Sequence, residues 1–367
     1  RDRYRMSAPL PPPPQPIEFA QSMSPTLSFA FCSLPAVIGL LAAIAIHMGL
    51  VLPAVGTGSP DLNRMIALGV RLDTPLDEEP TLVFLGDSLT VEGIDAETVR
   101  EAAPPGWRVF NFAINGGDRA ELDIIIPKVA KAKPAAVCMI LRPLSIAYPP
   151  DVGVDGAYAY NLGGFAKAWP AGWIPPYPPG VSKKYAEMLQ ESTLEAQLHF
   201  RTALQQLINS RIRQVVRSGF RSNISDDWQA PFNMTTSIGG DLLNKHLRTL
   251  GDELVDGVAA GTSVHEADLE RLVAHLHSQG ITPILVSSPT HPKLREIFGP
   301  TAEKFAALAK AWVAKYGGIY ADAHFLLDET GFADGQHLNE KGRNLLSRFV
   351  AAALPPPDQL GKGSDAK

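Results

Sequence analysis

The chain has 367 residues, a formal charge of −5 and 45% hydrophobic residues. That is enough apolar material for a sizeable core in one large domain or two, and it lacks the clustered positive field that nucleic-acid binding requires. Two cysteines, Cys32 and Cys138, lie far apart in apolar runs, which excludes a disulfide framework and a cysteine-based zinc site and reads as two buried thiols.

In chain order, residues 1–26 read as a flexible N-terminus. Residues 19 to 60 contain no Asp, Glu, Lys or Arg, and within them 27–55 is a nearly continuous apolar run. About 20 apolar residues suffice to cross a bilayer as a helix, whereas the apolar core of a cleaved signal is shorter. The run predicts a single-pass membrane anchor. His47 inside it is either a helix-packing contact or a functional group. Arg1, Arg3 and Arg5 on one side and Arg64 and Arg71 on the other leave the positive-inside rule almost balanced. Residues 56–80 read as a polar linker.

From residue 81 onward, strand-like and helix-like runs alternate. "TLVFL", "WRVFNF", "AAVCMIL", "TPILVSS" and "GIYADA" read as short buried strands, and "AELDIIIPKVAKA", "EADLERLVAHLHSQG" and "TAEKFAALAKAWVAKYG" as helices between them. Such alternation predicts a parallel sheet covered on both faces, with any ligand site beyond the carboxyl ends of the strands. The alternation breaks over about 145–261, which reads as an insertion in an α/β domain spanning 81–354. It opens with an aromatic, proline-rich stretch containing Tyr158, Tyr160, Phe165, Trp169, Trp173 and Tyr177. A long helical pattern carrying Arg201, Arg211, Arg213, Arg217 and Arg221 follows. Residues 355–367 read as a disordered tail.

Three separated segments fall where such a sheet gathers its strand ends. Ser88 follows the first strand in "GDSLT" and is either a nucleophile at a strand-to-helix corner or a polar helix cap. Gly116 and Gly117 follow the second strand in "NFAINGG", where a backbone amide can point at a developing oxyanion or simply form a turn. Asp334 and His337 stand three apart in "DGQHLN", ahead of a helix that Asn339 can cap; that spacing lets one turn present a base and its orienting carboxylate. Asp322 and His324, at the end of the fifth strand, are a rival pair, and His291 also lies past a strand end.

Together "GDSLT", "NFAING" and "DGQHLN" resemble the nucleophile, second and terminal blocks of the SGNH, or GDSL, hydrolases, over about 81–144 and 282–354. The resemblance implies a flavodoxin-like three-layer α/β/α sandwich. It implies Ser88 as nucleophile, His337 as base, Asp334 as its orienter, and the amides of Ser88 and Gly116 as oxyanion donors. It implies no metal and no organic cofactor. The Asn of the third block is absent from "ILRPLSIAY", so Arg142, Ser145 or Asn115 is expected in its place. The expected function is serine-dependent hydrolysis of an acylated carbohydrate, lipid or small molecule by an exported, membrane-anchored domain. Two alternatives stand beside it. One is O-acyl transfer to an extracellular polysaccharide with a membrane acyltransferase partner, and the other is a catalytically idle binding or assembly subunit.

Overall fold

The computed structural model describes residues 33–34, 37–40, 42–43, 64, 68, 71–72, 74–115, 119–146, 238–260 and 263–360. Contacts divide the chain into two compact units, 1–50 and 51–367. In the first, the described residues are helical, and Leu34, Val37, Ile38 and Leu40 are exposed. No helix among the described residues is long and apolar enough to cross a membrane. The span expected over 27–55, with His47, lies for the most part outside them.

Among its described residues the second unit is built on five strands: β1 (Thr81–Leu85), β2 (Arg108–Asn111), β3 (Ala136–Leu141), β4 (Thr282–Ser287) and β5 (Ile319–Asp322). All neighbouring pairs are parallel, and the order is β2-β1-β3-β4-β5. Side chains alternate between the faces of a strand, and both faces here are apolar. Val83, Leu85, Val137, Met139 and Leu141 enter one cluster, while Leu82, Phe84, Ala136, Cys138 and Ile140 enter the other. That is why the central strands β1 and β3 are buried at every residue and read as unbroken apolar runs.

Helices cover both faces. On the first lie α3 (Arg119–Ala132), α5 (Ser263–Ser278) and α6 (Arg295–Tyr316), through residues such as Ile126, Leu276 and Phe305. On the second lie α2 (Ala96–Ala102) and α7 (Glu340–Ala353), through Val99, Leu346 and Val350. The distribution follows from crossover handedness. The β1-to-β2 connection runs one way across the sheet, and those into β3, β4 and β5 run the other way, so they occupy opposite faces. Directions diverge between β1 and β3, which is the switch point where sheets of this strand order open a crevice for ligands.

Two segments differ from their sequence reading, and a third lies mostly outside the described residues. Within 56–80, expected to be a linker, Arg64, Leu68, Arg71 and Leu72 are helical. Leu68, Leu72 and Leu76 are buried in the first cluster, and Leu76 N donates to Ala132 O at 2.6 Å. Of the expected insertion, 147–237 lies outside the described residues, together with the aromatic stretch and the arginine-rich pattern. Its last part forms α4 (Gly240–Ala260), whose Leu247 and Leu250 pack with Leu294 and Phe298. The tail expected to be disordered is ordered as far as Leu360: Trp107 Nε1 donates to Pro355 O at 3.0 Å, and Leu360 packs on the second cluster. Cys138 is fully buried in β3, as its apolar setting predicts; Cys32 is outside the described residues.

The placement of Leu68 and Leu72 generates a prediction. A chain lacking residues 1–55 keeps the thermal midpoint of the α/β unit, whereas one lacking residues 1–73 loses two buried leucines worth about 1.5–3 kcal/mol each. Scanning calorimetry on the two truncated chains checks this, and equal midpoints count against it.

Candidate active site

The site is assembled at the switch point. β1 ends at Leu85, and Gly86 follows with φ 153°. A Cβ on Gly86 would meet Thr90 Oγ1 at 2.1 Å, so only glycine fits this corner. Asp87 then caps the short helix α1 (Ser88–Gly93): its carboxylate accepts from Leu89 N at 2.9 Å. Ser88 is the first residue of that helix and half-buried. The cap is therefore Asp87, which leaves the Ser88 hydroxyl free of capping duty.

The hydroxyl meets the terminal block instead. Ser88 Oγ lies 3.0 Å from His337 Nε2, and His337 Nδ1 lies 2.8 Å from Asp334 Oδ2. Asp334 Oδ1 also accepts from the amides of Gln336 and His337, both at 2.7 Å. With Nδ1–H donating to the carboxylate, Nε2 is the acceptor for the serine hydroxyl; the tautomer is assigned from this network. Burial pushes the Asp334 carboxyl up, but the hydrogen bonds from the His337 ring and amide and from Gln336, with the His337 charge, outweigh it and hold the group at about 2.

The Asp/His loop is braced from several sides. Asn339 caps α7 by accepting from Gly342 N at 3.1 Å and donates to Thr330 O at 2.8 Å and Phe332 O at 3.2 Å. Ala333 N donates to His337 O at 2.8 Å, and Ile238 N donates to Ala333 O at 2.7 Å. Gly335 faces α4 so closely that a Cβ would lie 3.1 Å from both Leu247 and Leu250.

Arg142, at the end of β3, stands between the two blocks. Its Nη2 is 3.1 Å from Asp87 Oδ2, and its Nη1 donates to Gln336 Oε1 at 3.2 Å. It thus holds the residue before the nucleophile and the residue before the base. Ser145 lies half-buried in the turn after β3, its amide donating to Arg142 O at 2.8 Å. Asn115 is half-buried in the loop after β2, and Gly116 and Gly117 lie outside the described residues.

The rival pair does not form. Asp322 Oδ1 accepts from Ser287 Oγ at 2.6 Å and from His324 N at 3.1 Å, while the His324 ring turns to Thr290 Oγ1 at 2.8 Å. His291 is buried, caps the turn at Pro292–Leu294 and meets Phe332 edge-on at 5.1 Å. Among the described residues, no group of three or more His, Cys, Asp or Glu could hold a metal ion.

Two residues in the site's frame escaped the sequence reading. Asn111, fully buried at the end of β2, donates through Nδ2 to Thr90 O and Ile94 O, each at 3.0 Å, and accepts from Ala113 N at 3.1 Å. Arg64, only 2% exposed, donates to Ala113 O at 2.7 Å and Asn111 O at 2.9 Å. A polar Asn closing a buried strand is a visible signal; Arg64 carries none beyond its helical spacing to Leu68 and Leu72.

No protein-family model matches the chain, and no curated protein does. Solved structures similar to it include a protein assigned as an acylhydrolase from Bacteroides fragilis NCTC 9343, at 11% identity and TM-score 0.36, covering 80% of this chain and 95% of that one. A carbohydrate acetylesterase from Sinorhizobium meliloti is similar at 9% identity and TM-score 0.32, covering 75% and 97%. Likeness at this level decides neither fold nor chemistry, which rest on the strand order and the distances above.

The buried acids and imidazoles predict two steps of acid destabilisation. Burial lowers His291 and His324 below the ordinary 6.5, Lys293 and Arg295 adding to it at His291 and Arg295 at His324, against Glu329 and Asp334 at His291 and Asp322 at His324. Below about 6.5 the unfolded chain takes up protons that the fold resists, so stability falls. Asp334 contributes stability above its ordinary 3.8 and loses it as pH falls from there through about 2. Urea midpoints followed from pH 8 to 2 are expected to show both losses, with the second reduced in Asp334→Asn and the remainder due to Glu97, Glu270 and Asp328, whose ordinary values are also lowered.

Proposed function

We propose that the α/β unit is a serine-dependent acyl ester hydrolase. The observation that carries this is the continuous chain Ser88 Oγ–His337 Nε2–Asp334, with links of 3.0 and 2.8 Å, at the carboxyl edge of a parallel sheet. Nothing about a helix cap or a structural polar pair calls for an imidazole between a serine and a carboxylate; a nucleophile does.

In this reading Ser88 Oγ attacks the acyl carbonyl carbon while His337 Nε2 removes the hydroxyl proton. Asp334 holds Nδ1–H and stabilises the imidazolium that results. The carbonyl oxygen becomes an oxyanion, received by the Ser88 amide and by an amide of the loop after β2, at Gly116. Collapse breaks the bond to the leaving alcohol, which takes the proton from Nε2 and leaves acyl-Ser88. Water then attacks the acyl carbon, giving its proton to His337, and the acid departs as Ser88 regains its hydrogen. In place of the missing third-block Asn we assign Arg142, at the end of β3, with Asn115 in the loop after β2 as the other candidate. Arg142 acts there by fixing Asp87 and Gln336, and its positive charge favours the oxyanion. Loss of one oxyanion donor typically costs about 100- to 1,000-fold in rate, so turnover is expected to be slow unless this replacement compensates.

The substrate class we propose is an acylated carbohydrate or lipid, reached from a membrane anchor at 27–55 with the catalytic unit exported. A reporter active only outside the cytoplasm, fused after Lys367, is expected to be active; activity from a cytoplasmic reporter alone would refute export.

A fluorophosphonate probe is expected to label the wild-type protein and not Ser88→Ala. His337→Ala is expected to lose nearly all turnover of p-nitrophenyl acetate, and Asp334→Asn about 10⁴-fold, since an amide holds the wrong tautomer. All three proteins should keep the wild-type circular dichroism. Mass spectrometry of the acyl-Ser88 adduct separates the fates: decay in water alone marks a hydrolase, and decay only with an added glycan marks a transferase. Labelling that persists in Ser88→Ala would sink the assignment.

A further inference from the structure

We infer that Arg64 is a positioning residue for the oxyanion loop, so that the segment ahead of the α/β unit belongs to its catalytic frame. The inference rests on the acyl-ester reading above and adds a residue from outside all three blocks that carry it.

The guanidinium of Arg64 is buried and reaches two carbonyls of one short stretch, Asn111 O at 2.9 Å and Ala113 O at 2.7 Å. A planar guanidinium presents its N–H groups as a rigid fork, so it sets the spacing and direction of the two carbonyls it binds. Burying a cation is costly, and at a position chosen for packing alone a leucine would serve, as it does at Leu68 and Leu72 in the same segment.

The stretch is also held from its other side. The Asn111 side chain donates to Thr90 O, within α1, and to Ile94 O, the residue just after it, and accepts from Ala113 N. Ile114 N donates to Gly86 O at 3.0 Å, beside the nucleophile corner. Residues 111–114 are therefore clamped between Arg64 and the segment that carries Ser88. Asn115 and Gly116, the donors expected from this loop, follow directly in the chain. Releasing Arg64 leaves the clamp one-sided, and the loop amides shift relative to Ser88 Oγ. A misplacement of about 1 Å can cost on the order of 100-fold in rate.

The test uses the full chain, with p-nitrophenyl acetate as substrate and a fluorophosphonate to titrate reactive Ser88, so that kcat is expressed per competent site. In Arg64→Ala, kcat per titrated site is expected to fall about 100-fold with KM changed less than about threefold. The second-order rate of phosphonylation should fall in parallel, because its transition state uses the same donors. Arg64→Lys keeps the charge but not the fork and is expected to lose about tenfold; it decides the matter if Arg64→Ala does not fold. A variant with a lowered thermal midpoint but wild-type kcat and phosphonylation rate per site overturns the inference, since Arg64 is then a packing residue only. Wild-type protein that does not label at Ser88 refutes the esterase reading itself and takes this inference with it, an outcome distinct from a normal wild type with unaffected Arg64 variants.

Discussion

The hydrogen bond between Ser88 and His337 joins residues 249 apart in the chain, and nothing local can hold it. It exists because parallel strands bring every carboxyl end to one edge, and because opposed crossovers open that edge between β1 and β3. The two partners arrive from opposite ends of the unit, one on the turn after the second-position strand and one on the turn before the last helix. The contact tolerates little error, so each partner has to be fixed by its own surroundings before they meet.

Those surroundings work differently on the two sides. On the nucleophile side, Gly86 permits the corner, Asp87 ends the amide row of α1, and Asn111 ties that helix to β2. On the base side, Asp334 both orients His337 and gathers two amides of its own loop, so one carboxylate shapes the turn and prepares the imidazole. Arg142 spans the two sides, and with Asp87 it forms an ion pair in which both side chains are mostly shielded.

Much of this was legible from residue order alone. All five strands were visible because a sheet covered on both faces demands unbroken apolar runs, and "GDSLT" with "DGQHLN" named Ser88, Asp334 and His337. The cap at Asn339 was visible because the cap bond is local. What escaped was non-local. Arg64 looked like a flanking charge after an apolar run, since its acceptors lie 47 and 49 residues away. The tie that Arg142 makes to the base loop also left no sign, since its partner Gln336 is 194 residues distant. The segment 56–80 passed for a linker because its leucines, four apart, cover less than the span of a full amphipathic pattern. The tail to Leu360 passed for disorder because its prolines conceal a carbonyl that Trp107 needs.

Cys138 gives the central strand an unusual property. It is fully enclosed within β3, between β1 and β4, and burial drives its thiol well above the ordinary range. A thiol reagent in solution therefore meets neither the sulfur nor its reactive thiolate while the sheet is closed. In a chain carrying Cys32→Ser, the rate at which Cys138 becomes modified is then a clock for opening of the sheet itself. It reads the population of the opened state of the domain's centre with no label engineered into the fold.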